Sequence, residues 1–482
     1  VTPDDFRAAL DDRIRSVLAA LGVEPPTGDV SERLDLALSL VRDPSTAWLV
    51  YIGVAGSFPT ADELAAFRRE LQLADDRSRI AAALGSAGAR DDASTGAARR
   101  LRIVEELPVV DAGHSATSDH NTGIQRVVRS TLPHWPHGEF VPVAWTGEAQ
   151  AFRGLTAPER VRLLAWGDHT PAEIREVDVA EIVVPWRTTV VLPEVPSRER
   201  IPVLASLAES SGSRVVIVGH DAIPVVSADL IDPIESDRFA LFLSVVKHAQ
   251  TVCAVSESAA SEFAGFASTL SAQGVAGPAV RTIRLAEESG STRGHVPDAD
   301  GVPLVICVGS HEPRKNQEAV LAAALGLQTE GMRFRLVFVG GGSRSHTTPF
   351  DRRVRRARAR GHDVAVRRDV SDAELYELYA GARFSVLVSL HEGFGLPIVE
   401  SLAAGVPVLT SDYGSMAEIA AGGGCLTVDP RSIDAIRGGM RRLLSDDRLL
   451  DELRAAAGAR PPRAWSDYAA ELWAVVREGS AS

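Results

Sequence analysis

The chain has 482 residues, a mass of 51.3 kDa and a formal net charge of −13 at pH 7, with 45% hydrophobic and 24% charged side chains. That is apolar material for more than one core, on an acidic background that argues against a polyanion-binding surface and so against nucleic acid as substrate. No run of about eighteen apolar residues suggests a membrane-spanning helix, no secretory signal pattern opens the sequence, and cytoplasmic residence is expected.

Residues 1–84 read as several short helices, with apolar spacing from Phe6 through Leu18 and again around Leu34 and Leu38. Thr60 and Glu63 have the spacing of a capping box. This helical accessory module has two open readings, a packing or dimerisation appendage and an element for acceptor recognition or polymer-length control. Residues 85–101, rich in small and polar side chains, read as a linker.

From Arg102 the texture changes to short apolar runs alternating with helical patterns. Strands are expected at Ile103 to Val110, Val161 to Trp166, Thr188 to Leu192, Arg214 to Val218 and Thr251 to Val255, with a helix from Ile124 to Leu132. A second series begins at Pro303 to Gly309 and continues with Arg335 to Gly340, Asp363 to Val366 and Phe384 to Val388. The fold class is therefore α/β: two doubly wound, Rossmann-like domains facing a cleft, at residues 102–286 and 302–482, joined by a linker at 287–301, plus the N-terminal helical module. Cys253, Cys307 and Cys425 are too widely spaced for a disulfide framework or a metal cluster.

The most informative stretch is His391-Glu392-Gly393-Phe394-Gly395-Leu396-Pro397-Ile398-Val399-Glu400. It sets two carboxylates across a loop that turns into a helix, with Pro397 at the helix start, and can hold opposite ends of one elongated polar ligand. Gly309 through Asn316 leaves a strand with Arg314 and Lys315 near a helix start, where a diphosphate can bind. Ile217 to Asp221 ends a strand with His220 at the edge where α/β enzymes place ligands; Asp221 is expected to orient His220 or to cap a helix. Thr122 can cap the helix after it and Gly123 keeps that entrance open. The polar segment Gly113 to Asn121 is expected to close over substrate, and its His114, Asp119 and His120 do not make a metal site. Gly340-Gly341-Gly342 lacks a full phosphate-cradling pattern, and the arginines between Arg352 and Arg360 read as a solvated helix face.

The His391 to Glu400 stretch, continued through Ser411, resembles the Glu-x7-Glu signature of the family 4 retaining glycosyltransferases, and further matches extend over roughly residues 105–475. The resemblance implies the GT-B fold, with a final helix around Trp465 to Arg477 crossing back to the first domain. It implies Glu400 on the donor ribose, Glu392 on the donor sugar, Lys315 neutralising the diphosphate with Arg314 beside it, and Gly393, Phe394 and Gly395 presenting backbone amides. His220 lies near sugar and phosphate, Gly123 faces the donor, Ser415 and Met416 line the diphosphate or base pocket, and Glu418 stabilises its own helix start. The family often carries an arginine where this chain has Ser310, so the common two-cation clamp is altered. Residues Glu312 to Asn316 and Thr122 to Val127 resemble bacterial mannosyltransferases of polysaccharide synthesis, which makes GDP-mannose the first donor to consider; UDP-glucose, UDP-N-acetylglucosamine, dTDP-rhamnose and GDP-fucose are compatible with the same contacts. The implied activity is metal-independent retaining transfer of a hexosyl group to a glycan, lipid-linked or other hydroxyl acceptor, with no cofactor beyond the nucleotide-sugar donor. Peripheral membrane contact and a homo-oligomeric state stay open. The alternatives are an epimerase or phosphorylase-like activity, and a catalytically silent nucleotide-sugar or glycan-binding partner in polysaccharide assembly.

Overall fold

A computed structural model describes residues 3–87, 99–147, 150–168, 181–288 and 301–478. Most of the two expected linkers, at 85–101 and 287–301, lies outside the described residues.

The first domain is built on β1 (Arg100–Val104), β2 (Val109–Asp111), β3 (Val141–Trp145), β4 (Phe152–Gly154), β5 (Glu181–Pro185), β6 (Thr189–Leu192), β7 (Arg214–Gly219), β8 (Thr251–Ala254) and β9 (Ala279–Thr282). They pair in the order β1-β5-β4-β3-β2-β6-β7-β8-β9, parallel except where β4 runs against β3 and β5. The second domain carries β10 (Leu304–Val308), β11 (Arg335–Val339), β12 (Val364–Arg367), β13 (Phe384–Leu387), β14 (Val408–Ser411) and β15 (Cys425–Val428) in the order β12-β11-β10-β13-β14-β15, all parallel. Strands covered on both faces need unbroken apolar runs, which Val190-Val191-Leu192 and Leu304-Val305-Ile306-Cys307 supply, all buried.

In the second sheet the strand order reverses between β10 and β13, so the loops leaving their carboxyl ends diverge and open a crevice between them. In the first sheet the same reversal lies between β2 and β6.

The N-terminal helices share a core with the outer part of the first sheet. Helix Pro44–Ala55 is apolar all round and buried from Thr46 to Val54, as a helix enclosed on every side must be. Trp48 packs on Phe58 and Phe58 edge-on to Phe152 of β4, ring centroids 5.3 Å apart in each pair. Arg13, fully buried, donates from Nε to the Gly53 carbonyl at 2.9 Å and from Nη2 to that of Val54 at 3.2 Å, serving carbonyls that the helix end leaves without an internal partner; burial lowers its pKa to about 10. Thr60 and Glu63 form a capping box, with the Thr60 amide donating to Glu63 Oε2 at 2.8 Å.

Two strand expectations change. Val161 to Leu164 belong to helix Ala157–Leu164, and Trp166 starts a 3₁₀ turn; the Thr156 hydroxyl and Glu159 cap the helix N-terminus reciprocally and override the apolar content of the run. The stretch from Ile103 to Val110 splits at the turn before Pro108 into β1 at the sheet edge and β2 in its middle, which are not neighbours.

Helix Trp465–Arg477 packs on the first domain. Trp135 Nε1 donates to the Ala469 carbonyl at 3.1 Å and Arg214 Nη1 to that of Val475 at 2.9 Å, while Trp135 and Trp473 rings lie 4.9 Å apart.

Candidate functional site

The crevice at the β10/β13 reversal is furnished by two loops. In the first, Pro313 to Lys315 form one 3₁₀ turn ended by Asn316 at φ 57°, a left-handed conformation that asparagine tolerates better than most residues. Asn316 Nδ2 donates to the carbonyls of Val388 at 3.1 Å and Pro430 at 2.7 Å, which ties this loop to the second. There Ser411 Oγ donates to the Ser389 carbonyl and Ser415 Oγ to that of Glu392, at 2.7 and 2.8 Å. The first loop is thus fixed by its own asparagine, and the second by side chains from outside it.

The two loops bring Arg314, Lys315 and Glu392 together. Lys315 Nζ donates to Glu392 Oε1 at 2.6 Å, Arg314 Nη1 to Oε2 at 3.0 Å, and Ser389 Oγ to Oε1 at 2.7 Å. Burial works against the Glu392 carboxylate, but Lys315 and Arg314 outweigh it and hold its pKa at about 2. Arg314 also donates from Nε to Glu312 Oε2 at 2.8 Å. Its charge, opposed by burial, is held by Glu392 and Glu312, which raise its pKa.

Gly395, at φ +116°, starts helix Leu396–Ala403 with Pro397 in its first turn, and Glu400 follows inside the helix. The Glu400 carboxylate is buried and accepts from Tyr379 Oη at 3.3 Å and, across the cleft, from Arg126 Nη1. Arg126 projects from helix Gly123–Thr131 of the first domain and also stands 3.8 Å from Asp372. Gly123 opens that helix, and a Cβ there would lie 3.8 Å from Leu396 Cδ1, so the two helix starts approach each other in the cleft.

The first glycine of the signature loop answers a constraint within the protein. A Cβ on Gly393 would sit 2.2 Å from the His220 carbonyl oxygen and 3.0 Å from Asp221 Oδ2. Gly393 is therefore required by the passage of one domain's backbone over the other. Phe394 and Met416 are buried in a core that runs between the domains, and Ser415 is buried with its hydroxyl engaged as above. Gly340 answers the same kind of constraint, its Cβ position lying 2.3 Å from the Gly309 carbonyl.

His220 is buried at the end of β7, and its Nε2 lies 2.9 Å from the Pro193 carbonyl. A carbonyl only accepts, so Nε2 carries a proton; burial lowers the ring's pKa, against that hydrogen bond. A neutral His220 therefore presents a lone pair at Nδ1 and accepts a hydrogen bond there rather than donating one. Asp221 does not orient His220: its Oδ1 accepts from the Ile223 amide at 3.1 Å, as a cap. Glu418 caps a helix of the other domain, accepting from the Glu257 and Ser258 amides at 3.0 and 2.7 Å.

The segment Gly113 to Asn121 is pinned. Arg129 donates to the carbonyls of Ser115, Ser118 and His120 at 2.7, 2.6 and 2.6 Å and to Asn121 Oδ1 at 3.1 Å, and Arg162 Nε donates to Asp119 at 2.7 Å. Five such bonds oppose the expected closure over substrate. His114 is exposed at its edge.

Sequence reasoning missed the residues that join the domains. His391 places Nδ1 2.8 Å from Ser227 Oγ and Nε2 2.6 Å from Glu262 Oε1; burial opposes its charge, but Glu262 prevails and raises its pKa. Ser256 Oγ donates to the Gly393 carbonyl at 2.7 Å. At the first sheet's reversal, Glu194 accepts from the His114 and Ser115 amides at 3.0 and 2.8 Å, and burial raises its pKa to about 7. Ser227 and Glu194 lie in loops, Ser256 caps a helix and Glu262 lies within one, and none of these settings marks a partner in a distant part of the chain.

Among the described residues, no group of three or more His, Cys, Asp or Glu side chains could hold a metal ion, and no helix is long and apolar enough to cross a membrane.

Residues 292–460 match the family model "Glycosyl transferases group 1". The chain is 27% identical over 336 residues to the serotype-specific mannosyltransferase WbdA of Escherichia coli, covering 65% of this chain and 39% of that one. It is 37% identical over 116 residues to the O-antigen chain mannosyltransferase B of Escherichia coli, covering 24% and 30%. The chain thus spans about two fifths or less of the length of these relatives. Among solved structures, Anabaena HepE in complex with UDP and glucose superposes with a TM-score of 0.55 at 12% identity, over 77% of this chain and 99% of that one. Two facing Rossmann-like domains, a crossover helix and the match across residues 292–460 make this chain a GT-B-fold relative of the group 1 glycosyl transferases.

Proposed function

We propose that the protein transfers a hexosyl group from a nucleotide diphosphate sugar to a hydroxyl of a glycan or lipid-linked acceptor, with retention of anomeric configuration. The observation that carries this reading is the convergence of Arg314, Lys315 and Glu392 at the strand-order reversal, with Glu400 further along the same loop and helix. Two buried carboxylates, Glu392 and Glu400, suit a ligand with a sugar at one end and a ribose at the other, and the cations beside Glu392 suit its diphosphate.

In this reading Glu392, already ionised and fixed by three donors, accepts from the donor sugar's hydroxyls with little reorganisation. Lys315 and Arg314 stabilise the charge that develops on the leaving diphosphate as the bond from the anomeric carbon to phosphate oxygen breaks. The acceptor oxygen bonds to the same face of that carbon, and its proton passes to an oxygen of the leaving diphosphate. The products are a glycoside and a nucleoside diphosphate. His220 accepts a sugar or acceptor hydroxyl at Nδ1, which positions it without taking its proton.

Mannose is the first sugar to test, supported by the mannosyltransferase names of the two relatives over the parts they share. The test is nucleotide release from GDP-mannose and four other nucleotide sugars with mixed glycan and lipid-linked acceptors, followed by NMR assignment of the product's anomeric centre. Transfer with retention is expected. An inverted product overturns the mechanism, and absence of donor binding across the panel overturns the reading itself.

A further inference from the structure

Arg126 is a cation of the first domain whose side chain reaches a carboxylate of the second. The two cations native to the crevice are already matched by carboxylates: Lys315 by Glu392, and Arg314 by Glu392 and Glu312. Ser310, the neutral residue that follows Gly309 in the same loop, engages its hydroxyl with Glu312. A diphosphate arriving in the crevice is doubly anionic, and this arrangement leaves its charge incompletely met. Arg126 reaches across from helix Gly123–Thr131, and its partner is Glu400.

Glu400 is also the carboxylate placed to receive the two ribose hydroxyls. It already accepts from Arg126 on Oε1 and from Tyr379 on Oε2, so a diol entering there competes with the guanidinium for the same oxygen. An arginine displaced from a carboxylate keeps its charge, turns about four side-chain torsions and matches phosphate oxygens in the same forked geometry. Its other neighbouring acid, Asp372, is 3.8 Å away and two-thirds exposed, a weak competitor.

We propose that Arg126 exchanges Glu400 for the donor diphosphate when a nucleotide sugar binds, so that the first domain supplies a phosphate contact through a residue that holds the cleft together beforehand. This rests on the reading that Glu400 takes the donor ribose. A nucleoside without phosphates displaces Arg126 and offers it no new partner, whereas a nucleoside diphosphate does both. Arg126 is thus a positioning residue that favours diphosphate over nucleoside.

The test is calorimetric or competition binding of GDP, guanosine, UDP and uridine to the full chain and to Arg126→Ala and Arg126→Lys variants, with melting curves for each. The wild type is expected to prefer one diphosphate over its nucleoside. In Arg126→Ala that preference falls at least tenfold, the diphosphate binding more weakly and the nucleoside as well or better; Arg126→Lys lies between. An unchanged preference, or equal weakening of nucleoside and diphosphate, overturns the exchange and leaves Arg126 as a latch. Should the alanine variant not fold, the lysine variant decides, a drop of less than about threefold counting against the exchange. If the wild type binds neither diphosphate, the donor reading of the site falls first and this inference with it.

Discussion

Replacing Gly393 with alanine tests the claim that this glycine answers the opposite domain. The added Cβ would stand 2.2 Å from the His220 carbonyl oxygen and 3.1 Å from Asp221 Cβ. Ordinary carbon–oxygen contact requires roughly 1 Å more than the first of these distances, and a backbone carbonyl at a strand end cannot rotate away. The other side is equally fixed, because the Gly393 carbonyl accepts from Ser256 and the Glu392 carbonyl from Ser415. The strain must then open the domain contact or displace Glu392. Overpacking of this kind costs about 1–3 kcal/mol, and a 1 Å misplacement of a catalytic group lowers turnover about 100-fold. Urea unfolding and donor turnover of Gly393→Ala, beside small-angle scattering for the domain separation, read all three quantities. Turnover within threefold of wild type together with an unchanged unfolding midpoint would refute the argument.

A glycine-to-alanine change inside helix Ile433–Ser445 should act in the opposite sense: Gly438 has nothing within 4 Å of its Cβ position, so Gly438→Ala is expected to stabilise by about 0.5–1 kcal/mol in urea unfolding. Glu392→Gln leaves the buried Lys315 without its carboxylate and Arg314 with Glu312 alone, and should cost about 3–5 kcal/mol at pH 7 by the same measurement. The pKa of Glu392 is lowered from 4.5 to about 2, so the stability its charge contributes is present above the unfolded value and lost as pH falls from 4.5 toward 2; the gap between Glu392→Gln and wild type should narrow over that window, and a gap independent of pH there counts against the assignment. Arg129→Ala removes four hydrogen bonds to the Gly113–Asn121 segment, and hydrogen exchange of its amides should accelerate at least tenfold while those of β13 stay unchanged; equal protection in both proteins speaks against the segment's being pinned by Arg129.

The parts of the fold legible in the sequence are those whose causes are local. Apolar runs such as Leu304-Val305-Ile306 read as buried parallel strands because such strands tolerate little else, and the Thr60–Glu63 spacing read as a cap because its geometry is contained in four residues. The run from Val161 reads as a strand although Thr156 and Glu159, five and two residues upstream, carry the same capping signal. The antiparallel β4 was missed because its three residues gain their partners only from β3 and β5 on either side. At the site, the two motifs are legible, but the pairing of Lys315 and Arg314 with Glu392 follows from two loops meeting at one strand-order reversal, which local spacing does not show. Contacts that depend on how the domains dock carry no mark in the chain. Nothing around Gly393 in the sequence says that it must clear the His220 carbonyl, and Glu262 gives no sign that it meets His391.

Those docking contacts divide the crevice into two unlike ends. At the Glu392 end everything is engaged before a ligand arrives: the carboxylate has three donors, its carbonyl is bonded to Ser415, and the adjoining residues are held by Ser256 on one side and by Glu262 and Ser227 on the other. At the Glu400 end the principal bond across the cleft is Arg126, a single long side chain on a partner that a ribose diol can claim. Under the proposed donor reading, rearrangement on binding therefore concentrates at the Glu400 end, and the sugar meets groups already in position at the Glu392 end. Catalysis requires interactions that strengthen in the transition state rather than on binding, and fixed donors around the breaking bond meet that requirement best when binding energy from the remote nucleoside offsets the cost of releasing Arg126.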